Sequence, residues 1–272
     1  MKYSTKNKFA LITGAAGLLG PFHSEALAEI GYNLIITDLN LKKLINLKKS
    51  LKTKFKNIKV HYFKCDITSE KEIKKLKNDL KKMKVFVYCL VNNADTNPKM
   101  LSNKKTFSNK VEDYKLSELN SEIRTGILGT FNCCKHFGEI MAKKKNGIII
   151  NISSDLGVIA PDHRIYDKTE NIKKVKNFKP ISYTISKHAI HGITKYISTY
   201  WGQNNVRCNT LIFGSVSNNQ PNHLIKNLKK RIPLNRLAKK NEYIKSIQFL
   251  ASSENSYMTG QSLIIDGGRT IW

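Results

Sequence analysis

Seven short runs rich in β-branched and apolar residues, at 8–13, 33–38, 58–66, 85–93, 147–153, 206–212 and 262–268, are separated by stretches of helical periodicity. The helical stretches begin near Leu18, Leu41, Glu70, Val111, Ser182 and Lys240, and their lengths suit crossovers between strands. No other feature restricts the fold as strongly. Strands joined by helical crossovers pair in parallel and are covered on both faces, which predicts an α/β, Rossmann-like doubly wound parallel sheet of three layers. The 272 residues suit one such domain, and no repeat or Gly/Ser/Pro-rich linker divides them. Ligands of these sheets bind beyond the carboxyl ends of the strands, so the chemistry is sought there.

The formal charge of +27 would suit nucleic acid, yet only six of the 47 basic residues are Arg, the residue that grips phosphates and bases in a fork. The lysines are spread over nearly every helical stretch, with Leu and Ile at core spacing between them, which describes solvated faces. No nucleic-acid partner is read from the charge. Cys65, Cys89, Cys133, Cys134 and Cys208 show no CxxC or zinc-type spacing, so no metal is expected and the thiols read as buried groups of a cytoplasmic protein. The early apolar run is interrupted by Gly14, Gly17 and Gly20 and precedes no cleavage site, which argues against export. No apolar run approaches a membrane span.

The turn "TGAAGLLG" at 13–20 joins the first strand to the first helix. Gly14, Gly17 and Gly20 permit a tight turn and let backbone approach a pyrophosphate, while the helix N-terminus offers N–H donors. The second strand ends at Asp38, whose carboxylate can accept both hydroxyls of an adenosine ribose and repels a 2'-phosphate. Ala15, Ala16, Leu39 and Asn40 supply no cation to offset that repulsion, so NAD is expected over NADP. An Asp that merely caps the next helix is the alternative reading of Asp38.

These blocks, followed by "CDIT" at 65–68, "NNAD" at 92–95, "NISS" at 151–154, "YTISK" at 183–187, "VRCNTLIFG" at 206–214 and "YMTGQSLIIDGG" at 257–268, resemble the short-chain dehydrogenase/reductase family. The resemblance spans nearly the whole chain. It implies that Tyr183 is the acid/base, that Lys187 holds the nicotinamide ribose and the Tyr, and that Ser154 hydrogen-bonds the reacting oxygen. It places Asp66 and Ile67 around adenine, Asn93 and Ala94 along the nucleotide, Leu19 at a phosphate, and Gly214 and Val216 at the nicotinamide end. It also implies a homotetramer or homodimer built on helices near 111–141 and 182–203.

Physical reasoning supports the first of these roles. Residues four apart share a helix face, so Tyr183 and Lys187 point into the same space. Bringing a phenol from its ordinary range to about 7 takes about 4 kcal/mol. An ammonium about 4 Å away, at an effective dielectric near 20, supplies that much. In the oxidation direction the phenolate would take the hydroxyl proton while hydride leaves for the nicotinamide.

The chain departs from the family pattern in four places. Leu18 stands where the shorter members have the middle glycine of the turn. Gly126 stands where the family has a relay Asn, and Asn120, six residues earlier, lies about 240° around a helix and cannot replace it. Phe213 replaces a Pro before Gly214, which predicts a looser loop over the cofactor. Ser154 and Tyr183 are 29 residues apart, a longer gap than the family usually shows. The surplus lies in an active-site-proximal insertion at 155–182, where His163, Arg164, Tyr166 and Lys168 are candidates to contact an anionic or polyhydroxylated substrate. With "APDHRIY" and "ISKHAIHGITKYISTYWG", this insertion resembles the flagellin-modification, nonulosonic-sugar branch of the family. The expected activity is therefore an NAD-dependent oxidation or reduction of an amino-sugar, sugar phosphate or nucleotide-sugar derivative. A 3-oxoacyl carrier-protein reductase and a non-catalytic dinucleotide sensor are the alternatives.

Overall fold

The structure is a computed structural model and describes residues 7–96, 109–167 and 171–272. Its strands are β1 (Phe9–Thr13), β2 (Asn33–Asp38), β3 (Val60–Lys64), β4 (Val87–Asn92), β5 (Gly147–Ser154), β6 (Val206–Phe213) and β7 (Ser262–Ile265). They form a single parallel sheet in the order β3-β2-β1-β4-β5-β6-β7. The order reverses between β1 and β4, which opens a crevice at their carboxyl ends.

Alternate side chains of each strand enter different cores, because the strand period is two. Ala10 and Ile12 of β1 join Leu34, Ile36, Val91 and Ile150 on one face. That face is covered by α1 (Gly20–Glu29), α2 (Leu41–Lys54) and α9 (Ile244–Ala251). Leu11, Ile35, Leu90 and Ile149 enter the other core, beneath α3 (Glu70–Lys82) and α7 (Ile181–Trp201). Each fully buried Leu or Ile contributes roughly 1.5–3 kcal/mol of transfer free energy, which is why the central strands read as almost uninterrupted apolar runs.

Local signals set the helix ends. Asn40 and Ser69 cap α2 and α3 by accepting from the backbone N–H of Lys43 and Glu72. Pro180 precedes α7, where its fixed φ starts the helix cleanly. Between Leu116 and Lys143 the chain forms α4 (Leu116–Ile123), α5 (Thr130–Cys133) and α6 (Glu139–Lys143), joined by wide π turns at Arg124–Gly129 and Cys134–Gly138.

Several boundaries differ from the sequence reading. The first helix starts at Gly20 rather than Leu18, Val111–Asp113 is a single 3-10 turn, and Lys240–Tyr243 is another that leads into α9. A further helix, α8 (Asn222–Lys229), has no counterpart in that reading.

The insertion at 155–182 contains short 3-10 turns at Asp155–Gly157, His163–Tyr166 and Ile172–Lys174. Its middle is folded onto α8. Ile165 packs with Leu228, Ile232 and Leu237, Asp162 pairs with Arg231, and the Asn227 amide donates to the carbonyls of Ile165 and Asp167. The Asp167 carboxylate in turn accepts the backbone N–H of Lys176 and Asn177. Lys168 lies outside the described residues.

Candidate active site

A cavity of about 910 Å³ runs along the carboxyl edge of the sheet from Asp38 to α8. Its floor is the junction of β1 and β4. The Asn93 side chain donates to the carbonyls of Thr13 and Gly14 at 3.1 and 2.9 Å, and the Thr13 hydroxyl accepts the N–H of Asn93 and Ala94 at 3.1 Å each. Gly14 has φ +58°, and a Cβ there would lie 2.7 Å from Ala94 Cα, so only glycine allows these two turns to close. At α1 no side chain caps the N-terminus, and Pro21 in its first turn carries no N–H to satisfy.

At the far end, Asp38 accepts the N–H of Ala16 at 3.1 Å and that of Asn40 at 2.9 Å. Asn40 caps α2, so Asp38 is not the capping residue that the sequence left open. Its carboxylate is fixed by backbone at the cavity wall. Asp66 is held by the backbone and hydroxyl of Thr68, and the carbonyl of Ile67 accepts from Asn132. Gly14, Gly17, Leu19, Asp38, Asp66 and Ile67 all line the cavity, whereas Gly20 packs beneath the turn instead. A turn that admits no Cβ at Gly14, an uncapped helix N-terminus and an anchored carboxylate together suit a dinucleotide with an adenosine ribose at Asp38.

Asn93, Ala94, Gly214 and Val216 continue the lining towards the middle of the sheet, where Ser154, Tyr183 and Lys187 meet. Lys187 is buried and places its Nζ 2.7 Å from the Asp95 carboxylate, 3.3 Å from the Ile152 carbonyl and 5.6 Å from the centre of the Tyr183 ring. A second ammonium, that of Lys179 from the insertion, sits 3.9 Å over the same ring. Ser154 donates to Asp155 Oδ1 at 2.6 Å and also hydrogen-bonds the Tyr183 phenol. Asp155 pairs at 3.0 Å with Arg269, both buried, and Arg269 also donates to the Ser215 hydroxyl. The Asp155–Arg269 contact is an ion pair without hydrogen-bond alignment, since Oδ2 has no directional partner. One continuous network thus links Arg269, Asp155, Ser154, Tyr183, Lys187 and Asp95.

This network corrects the expected phenol. Burial pushes Tyr183 above its ordinary value, and the Lys187 ammonium and the Ser154 hydrogen bond only partly oppose that, while Asp95 and Asp155 add to it. The sequence reading treats Lys187 as an uncompensated charge; Asp95 compensates it. Burial pushes Lys187 down, but the attraction of Asp95 and Tyr183 together outweighs it and the ammonium is held above its ordinary value.

The substrate end also differs in part. Tyr166 lines the cavity, but His163 and Arg164 do not. His163 packs against Phe178 and accepts the N–H of Lys179, and Arg164 is turned outward onto Asp162. Lys179, Asn177, His223 and Arg269 occupy the wall instead. Phe213 does not loosen its loop: the ring is buried against Tyr243 and His23, with centroids 4.1 and 5.5 Å away. Asp95, Asp155, Lys179 and Arg269 are site residues that sequence reasoning missed. The Asp of "NNAD" and the Arg directly after "DGG" were the available signals.

The family model described as enoyl-(acyl carrier protein) reductase matches residues 14–270. A 3-oxoacyl-[acyl-carrier-protein] reductase of Thermotoga maritima is 28% identical over 270 residues, 98% of this chain and 99% of the relative. A short-chain dehydrogenase of Leptospira borgpetersenii, solved with bound NAD+, is 27% identical with a TM-score of 0.82 over 97% of this chain and 93% of that one. A gluconate 5-dehydrogenase of Burkholderia cenocepacia, solved with NADP and tartrate, superposes with a TM-score of 0.85 at 21% identity over 100% and 98% of the two chains, a likeness of fold. With the family match running over residues 14–270, from the glycine turn through the Ser–Tyr–Lys centre, the chain belongs to the short-chain dehydrogenase/reductase family, whose members are NAD(P)-dependent oxidoreductases of hydroxyl and keto groups.

Proposed function

We propose that this enzyme uses NAD to interconvert a secondary alcohol and its ketone on a small, polyhydroxylated and anionic molecule of the amino-sugar, sugar phosphate or nucleotide-sugar type. The observation that carries the proposal is one cavity holding the fixed Asp38 carboxylate at one end and Ser154, Tyr183 and Lys187 near the other. Beyond the phenol the wall carries Lys179, whose ammonium lies over the Tyr183 ring, and His223, groups suited to hydroxyls and to a carboxylate or phosphate. That wall, together with the sequence of the insertion, supports placement in the nonulosonic-sugar, flagellin-modification branch.

When bound, the nicotinamide supplies the acceptor or donor of hydride. The chain's own residues handle the proton. In oxidation the Tyr183 oxygen takes the proton of the substrate hydroxyl, and in reduction it returns a proton to the carbonyl oxygen. Ser154 donates to that same oxygen, and a substrate there competes with Asp155 for its hydroxyl. Lys187 keeps a positive charge beside the phenol and, as a donor on the cavity wall, would hold ribose hydroxyls of the bound dinucleotide.

Tyr183→Phe removes one oxygen and is expected to lower turnover by about 100- to 10,000-fold while leaving dinucleotide binding in place. Turnover within a few-fold of wild type would end the assignment of the phenol. Screening sugar phosphates and nucleotide sugars with NAD by nicotinamide absorbance tests the substrate class. The second reading, a 3-oxoacyl carrier-protein reductase, has the Thermotoga relative in its favour. Rapid NADPH oxidation with an acetoacetyl thioester, and none of NADH with sugars, would establish it in place of the first.

Five free, buried cysteines support a reducing, cytoplasmic setting. Exposed Phe131, Tyr196 and Tyr200 on the helices beside the active site support assembly with further copies of the chain.

A further inference from the structure

The side chain that holds Lys187 comes from the end of β4, and the helical layer is cut away to admit it. Asp95 Oδ2 lies 2.7 Å from Lys187 Nζ, and both side chains are largely buried. Its other oxygen accepts the N–H of Thr96 at 2.8 Å, which fixes the rotamer. Gly126, in the π turn between α4 and α5, is buried directly behind it. A Cβ on Gly126 would lie 2.8 Å from Asp95 Oδ1 and 2.7 Å from Ser186 Oγ. A side chain at 126 would therefore press on the ends of both the Asp95 and Ser186 side chains, which must shift to admit it.

We infer that Asp95 is the positioning residue of this active site: it anchors Lys187 in place of any group from the α4–α5 segment and sets the pH at which Tyr183 gives up its proton. The inference rests on the assignment of Tyr183 and Lys187 to the reaction, and its test includes a readout that needs no substrate. The charged and titratable groups facing the phenol are Lys187 on its own helix, Lys179 from the insertion, Asp155 after β5, Asp95 after β4 and Tyr166. Of these, Asp95 alone touches the Lys187 ammonium directly. Removing its charge leaves that ammonium uncompensated, which makes the phenol more acidic.

Four variants and a difference titration test this. Asp95→Ala frees Lys187 and is expected to cost about 100-fold in kcat, the scale of a displaced catalytic group. Gly126→Ala pushes on the same carboxylate and is expected to cause a similar loss. The double variant Asp95→Ala/Gly126→Ala is expected to lose no more than either single one, because both act through one contact. Asp95→Asn, which keeps an acceptor without the charge, is expected to restore most of kcat and to move the acid limb of the kcat/KM profile for alcohol oxidation to lower pH. Thermal unfolding and reduced-dinucleotide binding check that each variant is folded. The tyrosinate absorbance that Tyr183→Phe removes is titrated without substrate in the wild type and in the Asp95→Asn variant, and is expected at lower pH in the variant. If no variant or wild type turns over substrate, the activity assignment has failed, and the absorbance titration still decides the Asp95 inference. Additive losses in the double variant, or an unchanged phenol titration on Asp95→Asn, would overturn it.

Discussion

Asp38→Asn is the perturbation with the most direct reading at the dinucleotide site. The carboxylate is tied to the N–H groups of Ala16 and Asn40, so the charge cannot swing away from a ribose placed at the cavity wall. A 2'-phosphate on that ribose brings a charge of about −1.5 to −2. At about 5 Å and an effective dielectric near 20, each unit of like charge costs about 3 kcal/mol. The neighbouring Leu39 is 62% exposed, so solvent reaches this edge and roughly half that figure is reasonable. The penalty against NADP is then about 2.3–3 kcal/mol, or roughly 50- to 150-fold. For NAD the variant loses charge-assisted hydrogen bonds to the ribose hydroxyls, a further 1.5–3 kcal/mol or so in the opposite sense. The ratio of kcat/KM for NAD to that for NADP should fall by at least about 100-fold. Steady-state rates with both dinucleotides, together with titrations of their reduced forms, measure the ratio directly. A ratio unchanged by the substitution, or a wild type that prefers NADP, would refute the argument.

Three other outcomes follow from the geometry. Gly14→Ala forces φ +58° on a residue with a Cβ and drives that Cβ into the Ala94 backbone. The φ alone costs about 1–2 kcal/mol, and weaker dinucleotide binding in a fluorescence titration is the expected sign. Arg269→Met leaves the Asp155 carboxylate buried without its cation and should cost about 3–5 kcal/mol in urea unfolding, with Asp155→Asn recovering part of the loss. Stability should also fall above about pH 9. All five cysteines are raised from 9.0 by burial, and Tyr32, Tyr88, Tyr166, Tyr183 and Tyr243 are raised from 10.0. These groups stay protonated in the fold while the unfolded chain ionises, so the native state binds more protons and alkali favours unfolding. Urea midpoints between about pH 7 and 10.5 test the sign, and a flat profile would contradict it.

The alternation of strand and helix was legible because a parallel sheet buried on both faces needs apolar strands, and the crossovers need amphipathic helices. The glycine turn and Asp38 were legible for a similar reason, since each stands at a strand end where a local pattern decides its place. α8 and the fold of the insertion were not. Their order comes from Ile165 meeting Leu228 and from Asp162 meeting Arg231, contacts between segments far apart in the chain that no periodicity announces. The same limit explains the phenol. The helix spacing of Tyr183 and Lys187 was visible, but the carboxylate that neutralises the ammonium arrives from another strand. His163 and Arg164 looked like ligands for want of their true neighbours, Phe178 and Asp162.

The close approach of position 126 to the Asp95 carboxylate couples the two sites: bulk added at 126 is felt at the lysine through the carboxylate, and an acid added at 95 is accommodated most easily where the helix position carries no Cβ. With neither group present, the Ile152 carbonyl remains as a backbone acceptor for the ammonium. Exchanges at the two positions should therefore be read as a pair.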